Sequence, residues 1–380
     1  MFEDFFWRSS ASRFPLNGYL IIGLVSILSI LGLIALFSAS QAMHENPLRL
    51  VQKQLIWVFI AIFFSYFAYR LDLEKLRIFI PFIGGISLLL LLVVLIPGFA
   101  SEINGSKRWI NLGFMKLQVS EIGKIGLLLT LSNYLANNRR VISTFRRGLF
   151  YPFCILGSYV IAIFLEPDYG TSFLCGLIGS IMIFVSGIKL RYIVPFVFIA
   201  LVLFSIAVFL NPERFSRVTS FLDLESNKMD SGYQLYQSII AFGVGGLDGV
   251  GLGNGQQQMS FLPEAHTDFI FSIIAEELGL FVTLGVVFIY LILFILVITN
   301  LKFAPNLYQY LLVLGSILLI EFQAIINIGV VTGCLPTKGL SLPFISYGGS
   351  NIVLMFTLIA LILNCFVNWE KVPLKLEKEL

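Results

Sequence analysis

Charge is scarce in this sequence. Only 12% of its 380 residues are Asp, Glu, Lys or Arg, about half the 25% usual in a soluble globular domain. Set beside 58% hydrophobic residues and a mean hydropathy of +0.91, that shortage excludes an ordinary soluble domain and implies a polytopic membrane protein. Histidine is down to 2 residues and cysteine to 4. Cys154, Cys175, Cys334 and Cys365 have no CxxC spacing, so neither a zinc site nor a disulfide framework is expected. The first two and the last fall in apolar runs, where a thiol behaves as a small hydrophobe. The net charge of +3 comes without any block of like charge, so no nucleic-acid partner is implied. The basic start, Arg8 and Arg13, leads into an apolar run without an A-x-A-like cleavage site, and that run is expected to stay as an anchor.

What is present is apolar length. A membrane span needs about 20 such residues, and ten candidates occur, near 16–39, 54–69, 78–98, 119–136, 149–165, 170–187, 192–210, 268–299, 308–332 and 344–368. The expected fold class is all-α: one transmembrane domain over 1–380, ten helices, both termini cytoplasmic, and one long extracytoplasmic loop, about 211–267. Lysine and arginine set this orientation: 15 fall on the side of the termini and 9 on the other. The eighth span is long enough to be tilted or to begin in a cavity.

The outward cations gather in a few loops. Arg108 and Lys116 lie between spans three and four, followed by Glu121 and Lys124 on an apolar helix, three residues apart and able to pair. A structural ion pair and a direct substrate role are both open to them. Between spans five and six, Glu166-Pro-Asp-Tyr-Gly-Thr171 reads as a tight turn, with Asp168 expected to cap the next helix. The long loop holds Arg214 and Arg217, a Tyr/Gln/Ile pattern over 231–243 that suggests an amphipathic helix at the interface, and a glycine series without the βαβ context of a dinucleotide site. In the last outer loop, Gly333–Ser350, prolines and glycines fall at membrane depth. Such backbone is tolerated only when buried in protein or lining a wet cavity. Lys338 is its single charge, with simple solvation as its alternative role.

The most unusual stretch is Leu262–Gly279. It carries Glu264, Asp268, Glu276, Glu277 and His266 at the start of an apolar helix, where ionised groups are costly and rarely idle. At about 100° per residue, Asp268 and Ser272 share a face, Glu276 lies two turns deeper, and Glu277 points nearly opposite. Capping by Thr267 or Asp268 is the plain alternative. Cations at an outer membrane surface suit a diphosphate head group, and a carboxylate beside apolar helix can act as a general base. The residues therefore point to a protein handling an anionic lipid at the outer face, by catalysis or by transport.

These same segments carry a resemblance. Arg108-Trp-Ile with Gln118–Lys124, Pro167–Thr171, Gly232-Tyr-Gln234, Leu262–Gly279 and Leu335–Ser350 resemble, in order and across nearly the whole chain, the SEDS family of bacterial membrane glycosyltransferases. The resemblance implies a peptidoglycan glycosyltransferase that polymerises lipid II at the outer face of the cytoplasmic (inner) membrane. Pro-Glu-Ala-His-Thr-Asp268 and Leu335–Pro343 look more like the cell-division member than the elongation member, which implies a septal location. It further implies Asp268 as catalytic carboxylate, with Arg108, Lys116, Lys338, Arg214, Arg217, His266 and Glu264 toward substrate. Glu121, Lys124, Glu276 and Ser350 would shape the cavity. A divalent ion, Mg or Mn, would be an aid that the sequence itself does not show. The implied partners are lipid II, membrane lipid, a class B penicillin-binding protein as transpeptidase, and other division proteins. Two departures stand out: Val119 where the family usually has proline, and Gly253–Gln258 in place of a run that normally holds a lysine.

Overall fold

The computed structural model describes residues 15–41, 48–99, 101–103, 106–111, 116–141, 144–257, 262–263 and 265–369. The expected Glu264 contact lies outside the described residues. Helices dominate, because in a bilayer every backbone N–H and C=O must be satisfied within the protein. They are α1 (Leu16–Ser40), α2 (Leu48–Arg70), α3 (Ile80–Val93), α4 (Val119–Asn137), α5 (Tyr151–Leu165, entered through a π-helical turn at Phe145–Phe150), α6 (Tyr169–Val185) and α7 (Leu190–Leu210). After these come α8 (Pro212–Leu222), α9 (Tyr233–Gly245), α10 (Ile270–Asn300), α11 (Leu307–Val331) and α12 (Gly349–Trp369). Among the described residues, seven helical stretches are long and apolar enough to cross a membrane. The other three expected spans correspond to α3, α4 and α6; α3 and α6 are shorter apolar helices, and α4 carries the Glu121–Lys124 pair.

Burial sorts the helices. α11 and α12 are 78% and 83% buried along their apolar windows, whereas α7 is 6% buried. The first two therefore form the centre, and α7 stands at the margin with its apolar surface turned outward. α2 lies along α12, and α4 packs on α3 and α11.

The all-α expectation needs correction in the first outer loop. Three short segments form an antiparallel sheet, β1 (Ser101–Ile103), β2 (Ser106–Asn111) and β3 (Lys116–Gln118), with Trp109 opposite Gln118 and Ile110 opposite Leu117. β1 and β3, three residues each, are too short for period-two patterning to declare itself, and Ser-Lys-Arg-Trp-Ile-Asn of β2 does not alternate. The long loop is also better organised than expected. α8 was not anticipated; Asn211 caps it by accepting from the Arg214 N–H at 3.2 Å. The expected helix near 231–243 exists as α9, and one of its faces docks on the bundle. It buries Leu235, Ser238, Ala241 and Gly245, and Ser238 bonds Ser272 of α10 at 2.6 Å and the Val331 carbonyl at 2.6 Å.

α10 is broken. Gly279 sits at φ +74°, a conformation that glycine adopts without steric cost, and splits the helix into Ile270–Leu278 and a longer piece that runs on to Asn300. The glycine series seals the break. Val250 and Gly251 donate to the carbonyls of Glu276 and Glu277 at 2.9 and 3.0 Å, and Leu280 donates to the Gly246 carbonyl at 3.0 Å. The two carboxylates serve the same loop: Glu276 accepts from the N–H groups of Gln256 and Gln257, and Glu277 from Gly253 N–H and the Ser38 hydroxyl. Glu276 thereby acts as a structural anchor of the segment that departs from the family pattern.

Candidate functional site

The elements place a set of titratable side chains at one end of the bundle. β2 presents Arg108, whose Nη1 is 2.8 Å from Asp168 Oδ2. Asp168 caps α6 by accepting from the Thr171 N–H at 3.1 Å, as the turn sequence suggests, and pairs with Arg108, which the sequence did not indicate. The pair shifts both groups. Burial alone would raise Asp168, but Arg108 and the Thr171 N–H hold it below the usual carboxylate range. Burial likewise pulls on Arg108, and Asp168 nevertheless holds it above the ordinary arginine value, with Asp268 and Glu121 adding to the attraction. Arg108 Nε is buried without a hydrogen-bond partner among the described residues, so part of this guanidinium is left for something else.

Glu166, two residues earlier, was not singled out as a site residue. It is fully buried and neither carboxylate oxygen has a partner among the described residues. Burial and then the neighbouring Asp168 push it up to about 9, against the pull of Arg108. The signal available in sequence was two acids within three residues, before a helix, in a chain poor in charge.

Lys338 comes from the irregular segment between α11 and α12. Its stem lies on Gly170, and its ammonium sits 4.7 Å from the Phe173 ring centre and 5.7 Å from that of Phe204. Simple solvation is thus not its state; burial, with Arg214 nearby, lowers it to about 8 despite Asp168. α8 supplies Arg214, which donates to the Pro167 carbonyl at 3.3 Å and lies over Tyr169 at 5.2 Å. It also supplies Arg217, held below the ordinary arginine value by burial and by Arg214, with Asp268 acting the other way. Lys116 is exposed on β3. Its carbonyl accepts from Ser350 Oγ at 3.4 Å, and the same oxygen accepts from the Gln118 N–H at 3.0 Å, so Ser350 ties β3 to α12.

Asp268 enters this group from the segment just before α10. The cap position of α10 is Phe269, which offers no side-chain cap, so the capping alternative does not describe the helix start. The Asp268 carbonyl is held by Asn327 Nδ2 at 2.7 Å, and the same amide holds the Leu340 carbonyl at 2.7 Å. One side chain of α11 thus fixes the backbone of both Asp268 and the Lys338 segment. Asp268 Oδ2 lies where a side chain at Gly339 would begin, 2.8 Å from the position of its Cβ. His266 accepts at its carbonyl from Tyr347 N–H at 3.1 Å, and the two rings lie 5.9 Å apart.

Behind the cluster, Lys124 and Glu121 pair at 2.9 Å. Lys124 also donates to Gln323 Oε1 and Asn351 donates to Glu121 Oε2, at 3.3 and 3.4 Å. With Lys124 1% exposed, the pair is a strut between α4, α11 and α12, and of the two roles left open the structural one has the geometry. The irregular backbone beside it is likewise satisfied: Gln323 holds the Ser341 carbonyl, Ser346 Oγ accepts from Leu342 N–H, and Tyr290 donates to the Pro343 carbonyl.

Among the described residues, no three His, Cys, Asp or Glu side chains converge as metal ligands. Those residues alone do not supply the donor set of a protein-held divalent ion. The chemistry the cluster offers is a carboxylate, Asp268, in the field of Arg108 and Arg217, next to cations at Arg214 and Lys338.

A family model described as cell cycle protein, covering FtsW, RodA and SpoVE, matches residues 19–370. The chain is 36% identical over 365 residues to the probable peptidoglycan glycosyltransferase FtsW of Coxiella burnetii, covering 94% of this chain and 98% of that one. Stage V sporulation protein E of Bacillus subtilis is 35% identical over 354 residues, covering 91% and 95%. Among solved structures, one described as structural coordination of polymerization and crosslinking by a peptidoglycan synthase complex aligns at a TM-score of 0.79 and 26% identity, covering 93% of this chain and 98% of that one. The rod shape determining protein RodA of Thermus thermophilus aligns at 0.69 and 25%, covering 91% and 95%. This chain belongs to the FtsW/RodA/SpoVE family of cell cycle proteins.

Proposed function

We propose that the chain is a peptidoglycan glycosyltransferase. As one ten-span transmembrane domain, it would polymerise lipid II at the outer face of the bacterial cytoplasmic membrane. The names of its relatives support the activity. The observation that carries the reading is the placement of Asp268 among Arg108, Arg214, Arg217 and Lys338 at one end of the bundle. Asp268 takes the proton of the acceptor GlcNAc 4-hydroxyl as that oxygen attacks C1 of the donor MurNAc. The C1–O bond to phosphate breaks, undecaprenyl diphosphate leaves, and the α-linked donor becomes a β-1,4 bond by inversion. Charge grows on the leaving diphosphate, so preorganised cations aimed at it lower the barrier. Lys338, Arg214, Arg217 and the unpartnered Nε of Arg108 are the groups for that work, with Lys116 at the rim. Resemblance to relatives named FtsW favours division, hence the septum, with a class B penicillin-binding protein supplying the transpeptidase. The likeness to a complex of polymerization and crosslinking supports such a partner. The elongation role is the alternative within the family.

A second reading, lipid II transport, gains one observation. A broken membrane helix such as α10 is a mark of transporters, where it exposes backbone to substrate. Here the break is sealed by Val250, Gly251 and Leu280, which leaves no free backbone for cargo and favours the enzyme. Detergent-solubilised protein with fluorescent lipid II separates the two, because micelles have no sides to cross. Glycan polymer formed in detergent supports the transferase. A protein that forms none, alone or with its transpeptidase, yet speeds lipid II exchange in liposomes, is a transporter.

A further inference from the structure

A second group of cations, unused by the chemistry above, sits at the other end of α6 from Arg108 and Asp168. α6 has 17 residues, so about 25 Å of helix separates the two ends. At the far end, the π-helical turn before α5 faces the connection between α6 and α7. Between them lies a cleft of about 150 Å³ lined by Thr144, Phe145, Leu149, Ile188, Lys189 and Tyr192, with Gly187 beside them. Leu149 and Ile188 are buried and form an apolar floor; Phe145 and Tyr192, 62% and 41% exposed, stand as walls.

The two segments that form the cleft carry only basic charge. Lys189, Arg139, Arg140, Arg146, Arg147 and Arg191 are all exposed, and segments 138–151 and 186–195 contain no acidic residue. Among the described residues none of the six joins an ion pair. Arg191 lies over the Tyr192 ring at 4.8 Å and its Nη2 donates to the Tyr192 hydroxyl at 2.9 Å, so charge and aromatic face are held together. The apolar stretches Phe145–Leu165 and α7 both begin here, which puts the cleft where two helices meet the membrane surface. The excess of lysine and arginine makes that surface the cytoplasmic one. Exposed arginines alone would be a solvated inner rim. An apolar floor between aromatic walls in the midst of them asks for a ligand with a negative head and an apolar tail.

We propose that this cleft binds an anionic phospholipid of the inner leaflet. Its phosphate lies among Lys189, Arg191, Arg146 and Arg147, and its first acyl methylenes run between Phe145 and Tyr192 onto Leu149 and Ile188. Basic pockets between membrane helices on the inner side recognise phospholipid head groups in this way. A free phosphate would use the cations without the floor, and a zwitterionic lipid would bring, with its phosphate, a head-group cation that the arginines and lysine repel.

Native mass spectrometry of the full chain, titrated with phosphatidylglycerol or phosphatidylcholine, tests this. The first phosphatidylglycerol should bind at least about tenfold tighter than phosphatidylcholine, given the gain per basic residue near an anionic head group. Joint replacement Arg146→Gln, Arg147→Gln, Lys189→Gln and Arg191→Gln should abolish the preference. Phe145→Ser with Tyr192→Ser, which leaves charge untouched, should weaken phosphatidylglycerol binding several-fold and keeps the test alive if the fourfold variant fails to fold. Arg70→Gln, Lys75→Gln and Lys302→Gln, on the same side but away from the cleft, should change nothing. Absence of preference in the wild type overturns the proposal. So does equal loss in the last variant, which would mean general surface charge, or no effect of the aromatic pair, which would mean a head-group contact without a cleft.

Discussion

Asp268 owes its place to a neighbour with no side chain. Its carboxylate occupies the space a methyl group at Gly339 would need, and Asn327 fixes the backbone of both segments. Gly339→Ala therefore displaces the proposed base without touching the hydrophobic core. Polymerisation should fall on the order of tenfold to a hundredfold, since misplacement of about 1 Å costs that much, with thermal stability nearly unchanged. Lys338 supplies a pH test. Lowered to about 8, it is charged below that value and neutral above it. If its charge holds the donor diphosphate, KM rises as pH passes through about 8 while kcat changes less. Lys338→Arg, charged throughout, should remove that rise, and Lys338→Met should show a high KM at every pH. Glu166 makes the opposite kind of demand. Its carboxyl is pushed up to about 9 in the folded protein and titrates near 4.3 when unfolded. Across that window the unfolded chain has released a proton the folded chain retains, so stability falls as pH rises. Glu166→Gln should melt higher than wild type at pH 7.5 and flatten the decline of melting temperature between pH 5 and 8.5. An unchanged slope would place the carboxyl in water.

At the scale of elements, the broken α10 and the glycine loop stand or fall together. A side chain at Gly279 would sit 2.3 Å from the Leu247 carbonyl and require the left-handed region, which costs about 1–2 kcal/mol before any clash is counted. Gly279→Ala should lower the melting temperature and, by releasing the loop, expose 246–257 to proteolysis. What was legible at this scale follows from the length of the signal. Long helices were visible because twenty apolar residues in a row leave little choice, and Asp168 as a cap was visible from its turn. The break at Gly279 was not, because one glycine in an apolar run is common and the partner that makes it a break lies some thirty residues earlier. The β1–β3 sheet, α8 and the docking of α9 escaped for the same reason: each is decided by tertiary contacts. The Arg108–Asp168 pair links residues 60 positions apart, so no spacing rule could find it, and Glu166 looks like any loop acid until its burial is known.

Taken whole, the molecule is a helical membrane body with a group of charged side chains at each of its two ends. One end gathers Asp268, Arg108, Asp168, Glu166, Lys338 and two arginines of α8. The other gathers six cations that join no ion pair among the described residues, beside an apolar cleft. Composition sufficed for the membrane, and a few quoted motifs sufficed for the family. The most direct test of the central claim uses purified protein with the proposed class B penicillin-binding partner, labelled lipid II, and reactions run with and without Mg or Mn. Wild type and Asp268→Ala are compared by resolving the glycan products, with folding of both verified by melting curves. The account predicts long glycan strands from the wild type and none from the folded Asp268→Ala variant. Equal polymer from both would contradict it and remove Asp268 from the chemistry.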